Sequence, residues 1–139
     1  MKRMLGIDYG VARTGVAVTD PLGITAQGVG TIHSGKTEKV LQEVINYAKQ
    51  YEVQTIVVGL PKNMNNTLGE RGEACIAFGD LLKEHTDCEI VMWDERLSTV
   101  SAIGFLNETN TRGAKRKAVV DTVAATIILQ NYLDYYKKG

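Results

Sequence analysis

Three short runs in which apolar residues dominate open the chain, and their pattern predicts strands over about 4–10, 14–20 and 27–33. Gly10 and Gly15 flank the first reversal, a glycine-assisted loop between antiparallel strands. Asp20-Pro21-Leu22-Gly23 makes the second, because proline presets one turn angle and glycine permits the reversal. The pattern then becomes helical. Val40, Leu41, Val44, Ile45 and Ala48 recur at spacings of three and four, which predicts a helix over about 37–51. Gln54 to Leu60 is a short run rich in β-branched residues, the signature of a buried parallel strand, and Pro61 ends it. Residues 62–69 are polar and without period, as in a loop. A second helix is expected over about 70–84, with Ala74, Ala77, Phe78, Leu81 and Leu82 inward, and a fifth strand over 89–94. Ser98 or Thr99 can cap a helix to about Asn107, residues 110–113 break it, and a last helix runs over about 115–136.

The order is βββαβαβαα, an α/β fold. Three antiparallel strands and two parallel ones reached through helices make a mixed five-stranded sheet with helices on both faces. Right-handed crossovers leave few ways to wind it, and 3-2-1-4-5 is the expected strand order. There is no internal repeat. With 139 residues the chain is expected to be one domain, 1–139, with one sizeable core and no second lobe.

Charge narrows the classes of partner. Sixteen basic and sixteen acidic residues cancel, so a protein that grips nucleic acid by overall charge is excluded. A local patch remains at Arg112, Lys115, Arg116 and Lys117, which also reads as a solvated helix start. Cys75 and Cys88 lack metal-ligand spacing and are expected to be free thiols. The first residues lead straight into a strand, without an apolar segment for a signal peptide or membrane span, so a cytoplasmic protein is expected.

Three carboxylates stand out. Asp8 lies among Leu5, Ile7, Tyr9, Val16 and Val18, where a charge is costly unless paired or bound to a cation. It could instead accept backbone amides in the glycine turn. Glu95 sits at the carboxyl end of the last strand, the edge where open α/β sheets place ligands, although a pair with Arg96 or a helix cap is an alternative. Asp94 should point to the opposite face. Asp121 shares a helical stripe with Ala125, Ile128 and Tyr132, and a pair with Lys117 is its simpler use. Three acids from distant parts of the chain suggest a cage for Mg²⁺ or Mn²⁺, since hard oxygen ligands suit those ions and His33 and His85 are isolated. Two such ions could activate water and stabilise the leaving oxygen of a phosphodiester. Arg13, Arg96 and the basic group at 112–117 could hold the phosphate backbone.

The chain resembles the YqgF/RuvX proteins of the ribonuclease H-like superfamily. The likeness is carried by Gly6-Ile7-Asp8-Tyr9-Gly10 with Arg13 and Gly15, by Val58-Gly59-Leu60-Pro61, by Asp94-Glu95-Arg96-Leu97-Ser98-Thr99, and by Asp121-Thr122-Val123-Ala124-Ala125 before Ile128-Leu129-Gln130. These proteins are described as Holliday junction resolvases and as nucleases that mature the 5′ end of pre-16S rRNA. The resemblance implies a ribonuclease H-like fold and a metal-dependent nuclease, with Asp8, Glu95 and Asp121 as catalytic acids and metal ligands. Structured RNA or branched DNA would be the substrate, and a monomer or homodimer the working form. Ser98 stands in place of a more usual threonine, Thr14 in place of an aliphatic residue, and Asn65-Asn66 in a loop often ending Asp-Gly. None of these removes a carboxylate.

Other classes compete. Asp8-x-Gly10 with Gly15 also resembles the phosphate-gripping hairpin of actin-like and sugar-kinase-like modules, whose nucleotide lies between two lobes. A noncatalytic RNA-binding factor of the same fold is a further alternative.

Overall fold

In the computed structural model the elements follow the predicted order: β1 (Met4–Asp8), β2 (Arg13–Thr19), β3 (Ala26–His33), α1 (Thr37–Gln50), β4 (Thr55–Leu60), α2 (Glu70–His85), β5 (Glu89–Asp94) and α3 (Gly113–Lys138). The structure describes residues 3–61, 69–94 and 113–138, with side chains in the last stretch from 122 to 136. The helix expected over 98–107 lies outside the described residues.

The sheet order is β3-β2-β1-β4-β5, as expected. β1 pairs antiparallel with β2 and parallel with β4, and β5 adds in parallel beyond β4. Alternation along the strands divides the core in two. Leu5, Ile7, Val16, Val18, Ile56 and Val58 face α1 and α2. Met4, Ala17 and Val57 face Ala125, Ile128, Leu129 and Leu133 of α3. Helices therefore cover both faces, and β1 is buried along its whole length.

The turn at Asp20 forms as its residues dictate. Gly23 adopts φ +70° and donates to the Asp20 carbonyl at 2.9 Å. The Asp20 carboxylate accepts the Ile24 amide at 2.7 Å and the Thr25 amide at 3.2 Å. α1 buries the predicted stripe. α2 is rotated from the expected face: it buries Gly72, Cys75, Phe78, Gly79 and Leu82, while Ala74 and Ala77 are exposed. Phe78 and Leu82 carry most of the apolar area, so they set the helix's orientation, and the alanines gain little by burial. Gly79 then lets the helix sit close over β5, where a Cβ would come within 2.8 Å of Met92 Sδ. Both cysteines are free thiols among the described residues.

α3 runs antiparallel to β3 and β1. Thr122 lies at Thr31, and Gln130, eight residues on, accepts the Ala26 amide at 2.8 Å. Over β5 its last turns bring Tyr132 edge-on to Trp93 at 5.4 Å and Tyr135 to the same ring at 5.3 Å. Burial, reinforced by the charge of Glu89, holds the Tyr132 hydroxyl above its ordinary pKa. No described helix is long and apolar enough to cross a membrane.

Gly6 is where α3 comes closest to the sheet. A Cβ there would lie 2.7 Å from Leu129 Cβ and 3.0 Å from the Ala125 carbonyl oxygen. Gly6→Ala should therefore cost about 1–3 kcal/mol of stability, as overpacking does. Urea unfolding measures it, and an unchanged midpoint would contradict the close approach.

Candidate active site at the carboxyl edge of the sheet

The parallel strands β1, β4 and β5 end at one edge, at Asp8, Leu60 and Asp94. In open α/β sheets ligands bind at this edge, because the connecting loops leave a crevice there. Asp8 closes β1, and its side chain is only 12 % exposed. Gly15 is its partner on β2. On the β4 side, one step past the Ile7–Val58 pair, lies Gly59. Neither neighbour has a side chain, so the carboxylate stands between two positions that cannot crowd it.

The register also relates Asp8 to α3. Asp8 pairs with Gly15, and Gly15 pairs with Thr31, so one row crosses three strands. Cross-strand partners share a face, and this row lies on the α3 side. At its end the Thr31 and Thr122 hydroxyls share a hydrogen bond of 2.7 Å. Thr122 sits over Gly28, where no Cβ could be accommodated, and its carbonyl accepts the Thr126 hydroxyl at 2.8 Å. Asp121 precedes Thr122 and stands one turn before Ala125, whose carbonyl lies over Gly6. The α3 backbone thus brings position 121 to the end of the fold that holds Asp8.

Glu95 lies outside the described residues, as do Arg96 and Arg112. β5 ends at Asp94 on the same edge, two strands from β1, roughly 10 Å away at normal strand spacing. Trp93 packs with the α3-side core, whereas Asp94 pairs with Leu60 of the opposite core, so Asp94 is turned from the Asp8 face. Arg13 begins β2 opposite His33, on the same edge as Asp8. Lys115, Arg116 and Lys117 fall in the first turns of α3, which the structure describes by backbone alone.

One residue of the site escaped the sequence pattern. Arg71, in the first turn of α2, places Nη2 3.7 Å from Asp8 Oδ1 and donates to the Tyr9 carbonyl at 3.2 Å. A helix that follows a parallel strand must start at that strand's carboxyl edge, so topology could have found it. Beside Arg71 is a cleft of about 400 Å³, lined by Tyr9, Gly10, Val11, Gly35 and Glu70 among others. The Tyr9 ring forms part of its wall, held by stacking on Phe78 at 4.2 Å and by a bond to Thr37 Oγ1 at 3.2 Å.

Among the described residues no group of three or more histidines, cysteines or acids could hold a metal ion. That set lacks Glu95 and the Asp121 side chain. Asp8 itself fits a hard divalent ion: an oxygen donor, mostly buried, between two residues without side chains.

If the Thr31–Thr122 bond seats α3 beside Asp8, Thr31→Val and Thr122→Val should each cost about 1–2 kcal/mol, since each removes this hydrogen bond. The double substitution should cost less than their sum by about 0.5–1.5 kcal/mol. A double-mutant cycle in urea measures this, and strict additivity would mean that the two hydroxyls do not act together.

The family model described as "RuvX: Holliday junction resolvase" matches residues 2–135. A protein of Clostridium botulinum strain Hall, named "Putative pre-16S rRNA nuclease", is 52% identical over 136 residues, 98% of this chain and 99% of its own length. A protein of the same name from Clostridium novyi strain NT is 52% identical over 132 residues, 95% of this chain and 98% of its own. Among solved structures, RuvC of T. thermophilus in complex with a Holliday junction superposes with a TM-score of 0.69 at 10% identity, over 100% of this chain and 97% of that one. The fowlpox virus Holliday junction resolvase gives 0.53 at 13% identity, over 99% of each chain. At such identities these two establish the fold, which is ribonuclease H-like. With the family model matching residues 2–135 and relatives half identical over almost their whole length, the chain belongs to the RuvX (YqgF) family.

Proposed function

We propose that this chain is a divalent-metal-dependent phosphodiester nuclease that matures the 5′ end of pre-16S rRNA in the cytoplasm, with residues 1–139 acting as one nuclease domain. The substrate follows the names of its half-identical relatives. The observation that carries the chemistry is Asp8: a mostly buried carboxylate at the carboxyl end of the central strand, between Gly15 and Gly59. Burying a charge there is costly, and a cation offsets that cost.

Asp8, Glu95 and Asp121 would hold Mg²⁺ or Mn²⁺, as two ions. Bound there, the ions supply an activated water and charge stabilisation at the leaving oxygen of the phosphodiester. The chain's own residues set the conditions. The sheet fixes Asp8, α3 carries Asp121 to the same end, and the strand that ends at Asp94 leads into Glu95. Arg13 and Arg96, with Arg112, Lys115, Arg116 and Lys117, would take phosphates on either side of the scissile bond, by charge-assisted hydrogen bonds. Such a local patch suits a chain of zero net charge.

A second reading is a resolvase of branched DNA. The description of the family model and the fold shared with junction-bound RuvC favour it. A symmetric junction cutter needs two sites facing one junction, and so a homodimer.

Cleavage assays on a ribosomal RNA precursor and on a four-way DNA junction decide between them. With Mg²⁺ or Mn²⁺, 5′-end cleavage of the precursor is expected, and the junction is expected to stay intact. Asp8→Asn should lower the rate by at least about a hundredfold, about 2.7 kcal/mol of barrier, with an unchanged circular dichroism spectrum. Activity that survives Asp8→Asn or a chelator would rule out the mechanism. Cleavage of the junction alone would install the second reading.

A further inference from the structure

We propose that Arg71 is a positioning residue that exchanges partners when the site loads: it holds Asp8 before the metal arrives and a substrate phosphate afterwards. This rests on Asp8 being a metal ligand. Three features of the structure carry it. The guanidinium is within Coulombic reach of Asp8 at 3.7 Å, yet beyond hydrogen-bonding distance, so the contact is an attraction without a locked geometry. Among the described residues its hydrogen bond goes to the Tyr9 carbonyl at 3.2 Å, which anchors one nitrogen and leaves the fork's other donors to a second acceptor. The side chain is 53 % exposed and lines the cleft beside Asp8.

A divalent ion on Asp8 repels a guanidinium at that distance. Arg71 already lines the cleft, where it is the one cation among the described lining residues. Tyr9 and Val11 supply apolar walls there, and Val11 is 83% exposed. An exposed arginine in an open cleft, next to a carboxylate that draws nucleic acid through a metal, is placed to take one backbone phosphate as a bidentate ligand. Glu70 lines the same cleft and limits how much anion it admits, which favours a single phosphate over a run of them. The exchange links metal loading to substrate grip: the metal pays the cost of freeing Arg71, and the freed Arg71 then favours the loaded enzyme's substrate.

The test uses the full chain and two readouts apart from activity. Mn²⁺ affinity is measured by calorimetry without nucleic acid. Binding of a single-stranded RNA oligonucleotide is measured against salt, with and without Ca²⁺ as a non-cleaving ion. Arg71→Gln should tighten Mn²⁺ about two- to fivefold, the scale of one half-exposed ion pair. With Ca²⁺ bound, the salt dependence of the parent chain should be steeper than that of Arg71→Gln by about 0.7, one phosphate on a single strand, and without Ca²⁺ the two should agree. Arg71→Lys, which keeps the charge, should stay within about twofold of the parent for Mn²⁺. Either readout unmoved in Arg71→Gln, or a lysine variant as tight as the glutamine one, overturns the exchange. Asp8→Asn separates the two failures. If it abolishes Mn²⁺ binding while Arg71→Gln changes nothing, only the role of Arg71 falls. If it leaves Mn²⁺ binding intact, the metal site at Asp8 falls and the exchange with it.

Discussion

The close approach of α3 to β1 at Gly6 is the constraint on which the rest of the structure depends. Leu129 Cβ and the Ala125 carbonyl occupy the space a side chain would need. That contact fixes the distance between helix and sheet, and the Thr122 seat over Gly28 fixes the helix's direction. Two contacts along one rigid helix leave it little freedom to slide or swing. The α3-side core of Met4, Ala17, Val57, Ile128 and Leu133 fills in around them. Close packing of this kind transmits position, so the start of α3 is set by glycines on two strands.

The opposite layer does a different task. α1 and α2 bury large side chains against Leu5, Ile7, Val16 and Val58. That layer holds the strands in place, while the α3 layer brings position 121 to the end of the sheet that holds Asp8. Asp8 lies at the boundary. Its backbone belongs to β1, its register faces α3, and its carboxylate reaches toward Arg71 of α2. A residue at a strand's last position can do this because no further pair constrains it.

The strand order, the turn at Asp20 and the α1 face were legible because each rests on local chemistry: β-branched runs, Asp-Pro-Leu-Gly, and a spacing of three and four; the first reversal was read too long, since Gly15 lies within β2. Asp8 was legible for a physical reason also, since an acid inside an apolar run is costly wherever the fold places it. The face of α2 was not. Ala74, Ala77 and Leu81 make as good an apolar stripe by count as Cys75, Phe78 and Leu82, and the larger area of Phe78 and Leu82, with Gly79 close over Met92, decides between them. Arg71 was hidden because its partner is 63 residues away and an arginine early in a helix has many uses. The bond between Thr31 and Thr122 was equally invisible, as two threonines 91 residues apart carry no period that joins them.

The docking of α3 has a consequence for when the chain becomes active. The first strand made carries Asp8, and the last helix made carries Asp121. The helix can reach its seat only after the sheet has formed, because Gly6, Gly28 and Thr31 together make that seat. With Asp121 in the site as proposed, a chain still being synthesised can therefore complete its sheet and its first two helices without owning a finished site. For such a nuclease, made on ribosomes in the midst of structured RNA, the order of synthesis itself keeps the carboxyl edge open until α3 closes on the first strand.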